Sequence, residues 1–251
     1  MKLYNNDCLK ILPKISDKSI NLILTDPPYG TTACKWDSTI PLKPMWNELK
    51  RIIKDNGCIV FFGNEPFSSH LRLSNLDYYR HDWVWEKDNP SGFLLSKKYP
   101  LRYFENIMIF AKKTPNYYPQ YWYTKPMNAV YRKNKCKHHY EDRQYKGVKL
   151  QESSKKYINT RKRFPKDIIK FNVVNKFSKI RKHPTQKPVP LLEYLIKTYT
   201  KEKETVLDFS MGSGSTGVAC KNLNREFIGI EKDTKYFNLA KDRIESTVVL
   251  T

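Results

Sequence analysis

Four consecutive residues, Asp26-Pro27-Pro28-Tyr29, put an anionic acceptor, a stiff backbone and an aromatic ring side by side. Those are the parts needed to make a nucleobase amine react. The lone pair of an exocyclic amine is delocalised into its ring, and two acceptors placed on the amine hydrogens localise it on nitrogen. The Asp26 carboxylate supplies one acceptor. The Pro27 carbonyl supplies the other, because two successive prolines fix φ at about −65° and keep the backbone extended. Tyr29 offers a face on which an unpaired base can stack. Taken alone, the same stretch with Gly30 after it also reads as a strand-end turn, since Asp, Pro and Gly are all turn formers.

A second chemical stretch lies near the other end. Asp208 is followed by Phe209-Ser210-Met211-Gly212-Ser213-Gly214-Ser215-Thr216-Gly217. Glycines at 212, 214 and 217 let backbone approach a ligand closely and turn into a helix that starts near Ser215. Glu231 ends the next apolar run, about twenty residues beyond the loop, where an acid can accept hydrogen bonds from both hydroxyls of a ribose. The glycine loop and Glu231 therefore read as a nucleoside site. Which nucleoside they take is left open by the spacing alone.

The elements that must position these residues follow from periodicity. The run Ile20 to Leu24 reads as a buried strand with Asp26 at its end, and Thr205 to Asp208 as a strand that feeds the glycine loop. Further strands are expected at Leu3–Cys8, Cys58–Gly63, Asp82–Glu86, Glu105–Ala111 and Glu226–Ile230. Helices are expected at Leu9–Ile15, Pro44–Lys54, Pro66–Leu73 and Val189–Thr200, the second of them stopped by Asp55-Asn56-Gly57. Alternation of strand and helix predicts an α/β fold. It is an open, mainly parallel twisted sheet with helices on both faces, whose ligands sit at the carboxyl ends of the strands.

Charge is distributed unevenly. The chain of 251 residues carries a formal +21, and residues 113–182 hold 20 Lys and Arg against 4 Asp and Glu, which is +16 of that total. The same segment has 12 aromatic residues, among them Tyr117, Tyr118, Tyr121, Trp122 and Tyr123, interleaved with Lys133, Lys135, Arg161, Lys162 and Arg163. Lysines neutralise phosphates, arginines also read base edges, and rings stack on unpaired bases, so nucleic acid is the expected partner ahead of a membrane surface. The aromatic content argues against a merely solvated insertion.

Cysteines 8, 34, 58, 136 and 220 are odd in number and form no C-x-x-C pair, which predicts reduced thiols in a cytoplasmic protein. Cys136, His138 and His139 lie close together, but with no second ligand pair at zinc spacing no metal is expected. The start Met1-Lys2-Leu3-Tyr4 opens without a charged-then-apolar leader, and no apolar run approaches the ~20 residues that span a bilayer.

An Asp-Pro-Pro-Tyr strand end, an Asp with its glycine loop and an acid at the next strand end resemble an S-adenosylmethionine-dependent DNA amino-methyltransferase of the N6-adenine/N4-cytosine family. The order, amine motif first, basic segment second and cofactor loop last, is similar to the permuted β class. His183-Pro184-Thr185-Gln186-Lys187-Pro188 matches a signature of that class. The resemblance implies a permuted Rossmann-like methyltransferase fold. Residues 1–112 form the catalytic half, 113–182 an inserted target-recognition lobe and 183–251 the cofactor half. It assigns Asp26, Pro27 and Tyr29 to the target amine and flipped base, and Asp208, Gly212, Gly214 and Glu231 to S-adenosylmethionine. Asp7 and Cys8 correspond to the contact with the adenine of the cofactor, and Lys187 to its methionine end.

One departure stands out: the family commonly has Asp-Pro-Phe where this chain has Asp208-Phe209-Ser210. Double-stranded DNA is the implied substrate. A homodimer and a cognate restriction endonuclease are compatible with the resemblance. Family habit pairs Asp at the first motif position with adenine N6 and Ser with cytosine N4, which favours adenine here. Cytosine N4 is the nearest alternative, followed by a basic DNA-binding module whose cofactor site is vestigial. A protein-glutamine methyltransferase would prefer Asn at the first motif position and the opposite order of halves, and an RNA substrate is not separated from DNA by charge alone.

Overall fold

A computed structural model of the chain describes residues 1–30, 38–123, 162–175 and 186–248. Among the described residues, ten strands and six α-helices run in the order β1 (Lys2–Asn5), α1 (Cys8–Ile11), β2 (Ile20–Thr25), α2 (Leu42–Ile52), β3 (Ile53–Gly63), α3 (Phe67–Leu73), β4 (Tyr79–Ser91), β5 (Arg102–Phe110), β6 (Trp122–Tyr123), β7 (Lys162–Arg163), β8 (Ile168–Lys170), α4 (Val189–Tyr199), β9 (Thr205–Asp208), α5 (Ser215–Asn222), β10 (Glu226–Glu231) and α6 (Thr234–Ser246).

Eight strands form one sheet in the order β1-β10-β9-β2-β3-β5-β4-β8. All neighbours are parallel except that β5 runs antiparallel to both β3 and β4. The expected mainly parallel α/β sheet is therefore present, with one reversed strand that periodicity could not specify. Because β5 is reversed, its first residues lie at the same edge as the last residues of the parallel strands.

Strand residues alternate between two cores. Leu22, Leu24, Cys58, Val60, Phe62 and Val206 pack with α4, α5 and α6 on one face. Ile20, Ile23, Ile59, Phe61 and Leu207 pack with α1, α2 and α3 on the other. Every residue of β2 is buried, and burial of each Leu or Ile is worth about 1.5–3 kcal/mol. The strand that carries Asp26 is thus fixed from both sides.

Two local expectations change. The helix predicted for Pro44–Lys54 starts at Leu42 and stops at Ile52, and Asp55-Asn56-Gly57 is not a helix stop but part of β3. The pairing of Ile20 with Ile53 and of Leu22 with Cys58 leaves the intervening residues as a bulge in that strand. The helix expected from Leu9 to Ile15 is one turn of α-helix, capped by the Asp7 side chain at Leu9 N, followed by a 3-10 turn over Leu12–Lys14 in which Pro13 sits.

The boundary of the insertion also moves. By internal contacts the chain divides into Met1–Gln120 with Lys166–Thr251, and Tyr121–Pro165 by itself, rather than at 113 and 182. The ends of the basic segment belong to the larger unit: Tyr118 N donates to Thr198 O at 2.7 Å and β8 extends the sheet beside β4. Within the smaller unit, β6 and β7 pair antiparallel, the Lys162 ammonium lies 3.6 Å over the Tyr121 ring, and Trp122 Nε1 donates to Phe164 O at 3.1 Å. Trp36, Asp37, Cys34, Cys136, His138, His139, Lys133, Lys135, Arg161 and His183–Thr185 lie outside the described residues.

Candidate active site

The tips of β2 and β9 are neighbours. Ile23 pairs with Leu207, and one step on, Thr25 Oγ1 donates to Asp208 Oδ1 at 2.9 Å. With its proton on Asp208, that hydroxyl accepts from Ser210 Oγ at 2.7 Å. Asp208 is otherwise held by Ser210 N on Oδ1 at 3.2 Å and by Thr216 Oγ1 on Oδ2 at 2.6 Å. All its donors are uncharged. Burial, with the nearby Asp26 adding to it, pushes its carboxyl up to about 6 against those hydrogen bonds.

The next tip belongs to β10. Glu231 takes Gly212 N on Oε2 and Asp233 N on Oε1, both at 2.9 Å. Burial raises its carboxyl above the ordinary value despite those amides. Each oxygen keeps a second acceptor position, so two hydroxyls can still be bound. Asp7, past the tip of β1, caps α1 and pairs with Lys232 at 3.1 Å. Beside it, burial pushes the Cys8 thiol up to about 11, which makes it an apolar wall rather than a nucleophile.

Asp26 is paired quite differently. Oδ2 accepts from Lys187 Nζ at 2.5 Å and Oδ1 from the Tyr29 hydroxyl. Lys187 also reaches Glu105 Oε1 at 2.9 Å, Lys87 reaches Glu105 Oε2 at 2.7 Å, and Tyr29 OH donates to Glu105 Oε1 at 3.2 Å. Two ammonium groups and two carboxylates thus close a charge-balanced network. Burial pushes the Asp26 carboxyl up against the pull of Lys187. For Glu105 burial acts the same way, but the two ammoniums outweigh it and hold that carboxyl below its ordinary value. Burial would lower the Lys187 ammonium, yet the two carboxylates leave it raised.

A cavity of about 600 Å³ joins these groups. Asp7, Cys8, Asp26, Lys187, Asp208, Gly212 and Glu231 all line it, together with Thr25, Phe62, Ser210 and Thr216. Its size is that of a cofactor pocket, for which ~300–1,000 Å³ is usual. Gly212 has φ +49° and nothing within 4 Å of where a Cβ would stand, so the loop backbone is open to the cavity. A row of acids and an uncovered backbone suit a cationic nucleoside.

Three of the expected site residues stand elsewhere. Gly214 caps α5 and is pressed against Ala240, whose Cβ would lie 2.9 Å from an added one, so it serves helix packing rather than the cavity wall. Pro27 is buried behind the wall. Tyr29 stacks one ring face on Phe67 at 4.8 Å and sends its hydroxyl into the network. Lys187, expected at the methionine end of the cofactor, lines the cavity with its ammonium paired to Asp26 and Glu105. In the departing Asp208-Phe209-Ser210 stretch, Phe209 packs edge-on against Phe61, and both Phe209 and Ser210 line the cavity.

Glu105 and Lys87 were missed by the sequence reading. The signal for Glu105 was present: an acid at the start of an otherwise apolar strand, only 4% exposed, which must be paired. Its partner could not be read, because Lys187 lies 82 residues away in a different half of the chain.

Among known proteins, residues 20–242 match the family model described as DNA methylase. The chain is 28% identical to the Type II methyltransferase M.HpaI of Haemophilus parainfluenzae, over 98% of this chain and 74% of the relative. Its structure superposes on the M1.HpyAVI–SAM complex with a TM-score of 0.60 at 26% identity, covering 96% of this chain and 98% of the other. The PvuII DNA methyltransferase, titled cytosine-N4-specific, shares the fold with a TM-score of 0.65 at 16% identity, over 96% and 85% of the two chains.

Proposed function

This chain belongs to the DNA methylase family of N6 and N4 amino-methyltransferases, and we propose that its own target is the N6 amine of an adenine flipped out of duplex DNA at a defined site. The cofactor is S-adenosylmethionine, which when bound supplies an electrophilic methyl on a sulfonium. Asp7, Glu231, Asp208 and the backbone at Gly212 are the groups that would hold it.

One observation carries the reading. The Thr25–Asp208 hydrogen bond locks the amine motif and the cofactor loop together in the wall of one cavity. Asp26 accepts an amine hydrogen and turns the lone pair toward the cofactor side. Lys187 and Tyr29 fix the carboxylate while leaving acceptor positions on each oxygen, so the amine is taken without breaking the network. Tyr29, backed by Phe67, acts through its hydroxyl on the Asp26 carboxylate. Positioning and electrostatics supply the rate, with no covalent step on the protein.

Adenine and cytosine present the same donor–acceptor edge, so the choice rests on Asp26 at the position where the family uses Asp for adenine. Digestion of methylated duplex DNA to nucleosides, followed by mass analysis, is expected to return N6-methyladenine. N4-methylcytosine would overturn the choice. Site recognition falls to the basic, aromatic segment 113–182, and competition between duplex DNA and RNA for labelled methyl groups tests the nucleic acid. A paired restriction endonuclease belongs to the same proposal, on the Type II names of the relatives; a homodimer rests on the class resemblance.

A further inference from the structure

The hairpin between β4 and β5 ends in a tip that no described residue covers. Residues 91–100 are all exposed, with Leu94 fully so, Phe93 at 62% and Leu95 at 51%. Three adjacent large apolar side chains in solvent are an unusual patch for a surface loop. They are also presented on an ordered turn: Leu95 N donates to Gly92 O at 2.9 Å, Lys98 N to Leu95 O at 2.8 Å and Tyr99 N to Leu95 O at 2.9 Å.

Charge and position identify the partner. From Asn89 to Phe104 there is no acidic residue, while Lys97, Lys98 and Arg102 are basic and exposed. The tip also grows directly out of the amine site. Ser91 pairs with Arg102 at the base of the turn, and Glu105, which holds Lys187 and Lys87, is three residues further down β5, roughly 10 Å at about 3.3 Å per residue. Apolar side chains ringed by cations, one strand length from the base pocket, suit a wedge that enters a base step while lysines meet the flanking phosphates.

We infer that Phe93, Leu94 and Leu95 insert into the duplex beside the target and fill the stack that the flipped base vacates. This rests on the DNA methylase reading and is independent of whether adenine or cytosine is the target. The wedge lowers the cost of extrusion, so it matters only while the target is paired.

The test uses the full-length enzyme and a duplex carrying the site found by modification-detecting sequencing of DNA from expressing cells. Leu94→Ser, and Phe93→Ser as a second variant, are assayed on that duplex and on one with a mismatch at the target pair. Each variant is expected to lose about tenfold or more in methylation rate on the paired duplex and to come within about threefold of the parent on the mismatched one. Equal loss on both duplexes, or no loss on either, overturns the wedge. So does a parent-like ratio accompanied by a fall from dimer to monomer mass in sedimentation, which would make the tip a contact between copies. A parent enzyme that methylates no duplex overturns the DNA reading and this one with it.

Discussion

Asp26 and Asp208 are the same residue type at the tips of adjacent strands, yet their surroundings treat the charge in opposite ways. Asp208 is held by two hydroxyls and an amide and keeps its net negative charge when ionised. Asp26 shares Lys187 with Glu105, which Lys87 also pairs, so its charge is cancelled inside the network. One cavity thus has an uncompensated anionic side, suited to a sulfonium ligand, and a neutralised acceptor side, suited to a base whose amine must be oriented without repelling the phosphates around it. Two identical side chains acquire different chemistry from their donors alone.

Three measurements bear on that contrast. Asp26→Ala removes an acceptor made for the reacting amine and should lower methyl transfer by about 10³-fold, in the range of a lost charge-stabilising group, while calorimetric S-adenosylmethionine binding is largely kept. Equal loss of both would mean that Asp26 is structural and the contrast with Asp208 is empty. Glu105→Gln leaves two buried ammoniums facing one carboxylate. It should cost about 3 kcal/mol in denaturant unfolding, the scale of breaking a buried ion pair, and it should also slow methyl transfer on the loss of Lys187 positioning. A near-neutral result would show that the lysines find water instead.

The smallest effect is a pH dependence. The Asp208 carboxyl sits at about 6 when folded, above its unfolded value. Its contribution to stability is therefore fully present below about pH 4 and lost as pH rises through about 6, by roughly 2–3 kcal/mol. Compared with Asp208→Asn, which cannot ionise, the parent should lose that much more unfolding free energy between pH 4.5 and pH 7. Cofactor affinity of the parent should rise over the same interval as the anion forms. An Asn variant with the same pH profile as the parent would place Asp208 among ordinary carboxylates and erase the asymmetry.

Part of the cavity lining was legible in the sequence. Asp26 could be placed at a strand end because the run Ile20 to Leu24 is apolar and short, and Gly212 and Glu231 because a glycine loop followed by an acid one strand later has few other uses. Gly214 was assigned to the cofactor by its spacing, although its contact with Ala240 is a packing requirement that looks identical in sequence. Lys187 was found by motif, and it lines the cavity beside Asp26. Its ammonium goes to the carboxylates that need it most, and burial, not spacing, determines which those are. The hydrogen bonds at Asp208 and the Lys87–Glu105 pair had no local signature.

Chain order and residue type by themselves fixed the alternation of strands and helices, the two acidic strand tips and the glycine turn, because periodicity and backbone stereochemistry are local properties. Tertiary structure alone decided that β2 and β9 lie side by side, and that the reversal of β5 carries Glu105 to the same edge. It also set the ionisation of each buried carboxyl through the donors that reach it. Those outcomes depend on contacts between residues up to 185 positions apart, and the energy of a buried charge is set by what lies within a few ångströms in space, whatever the distance along the chain.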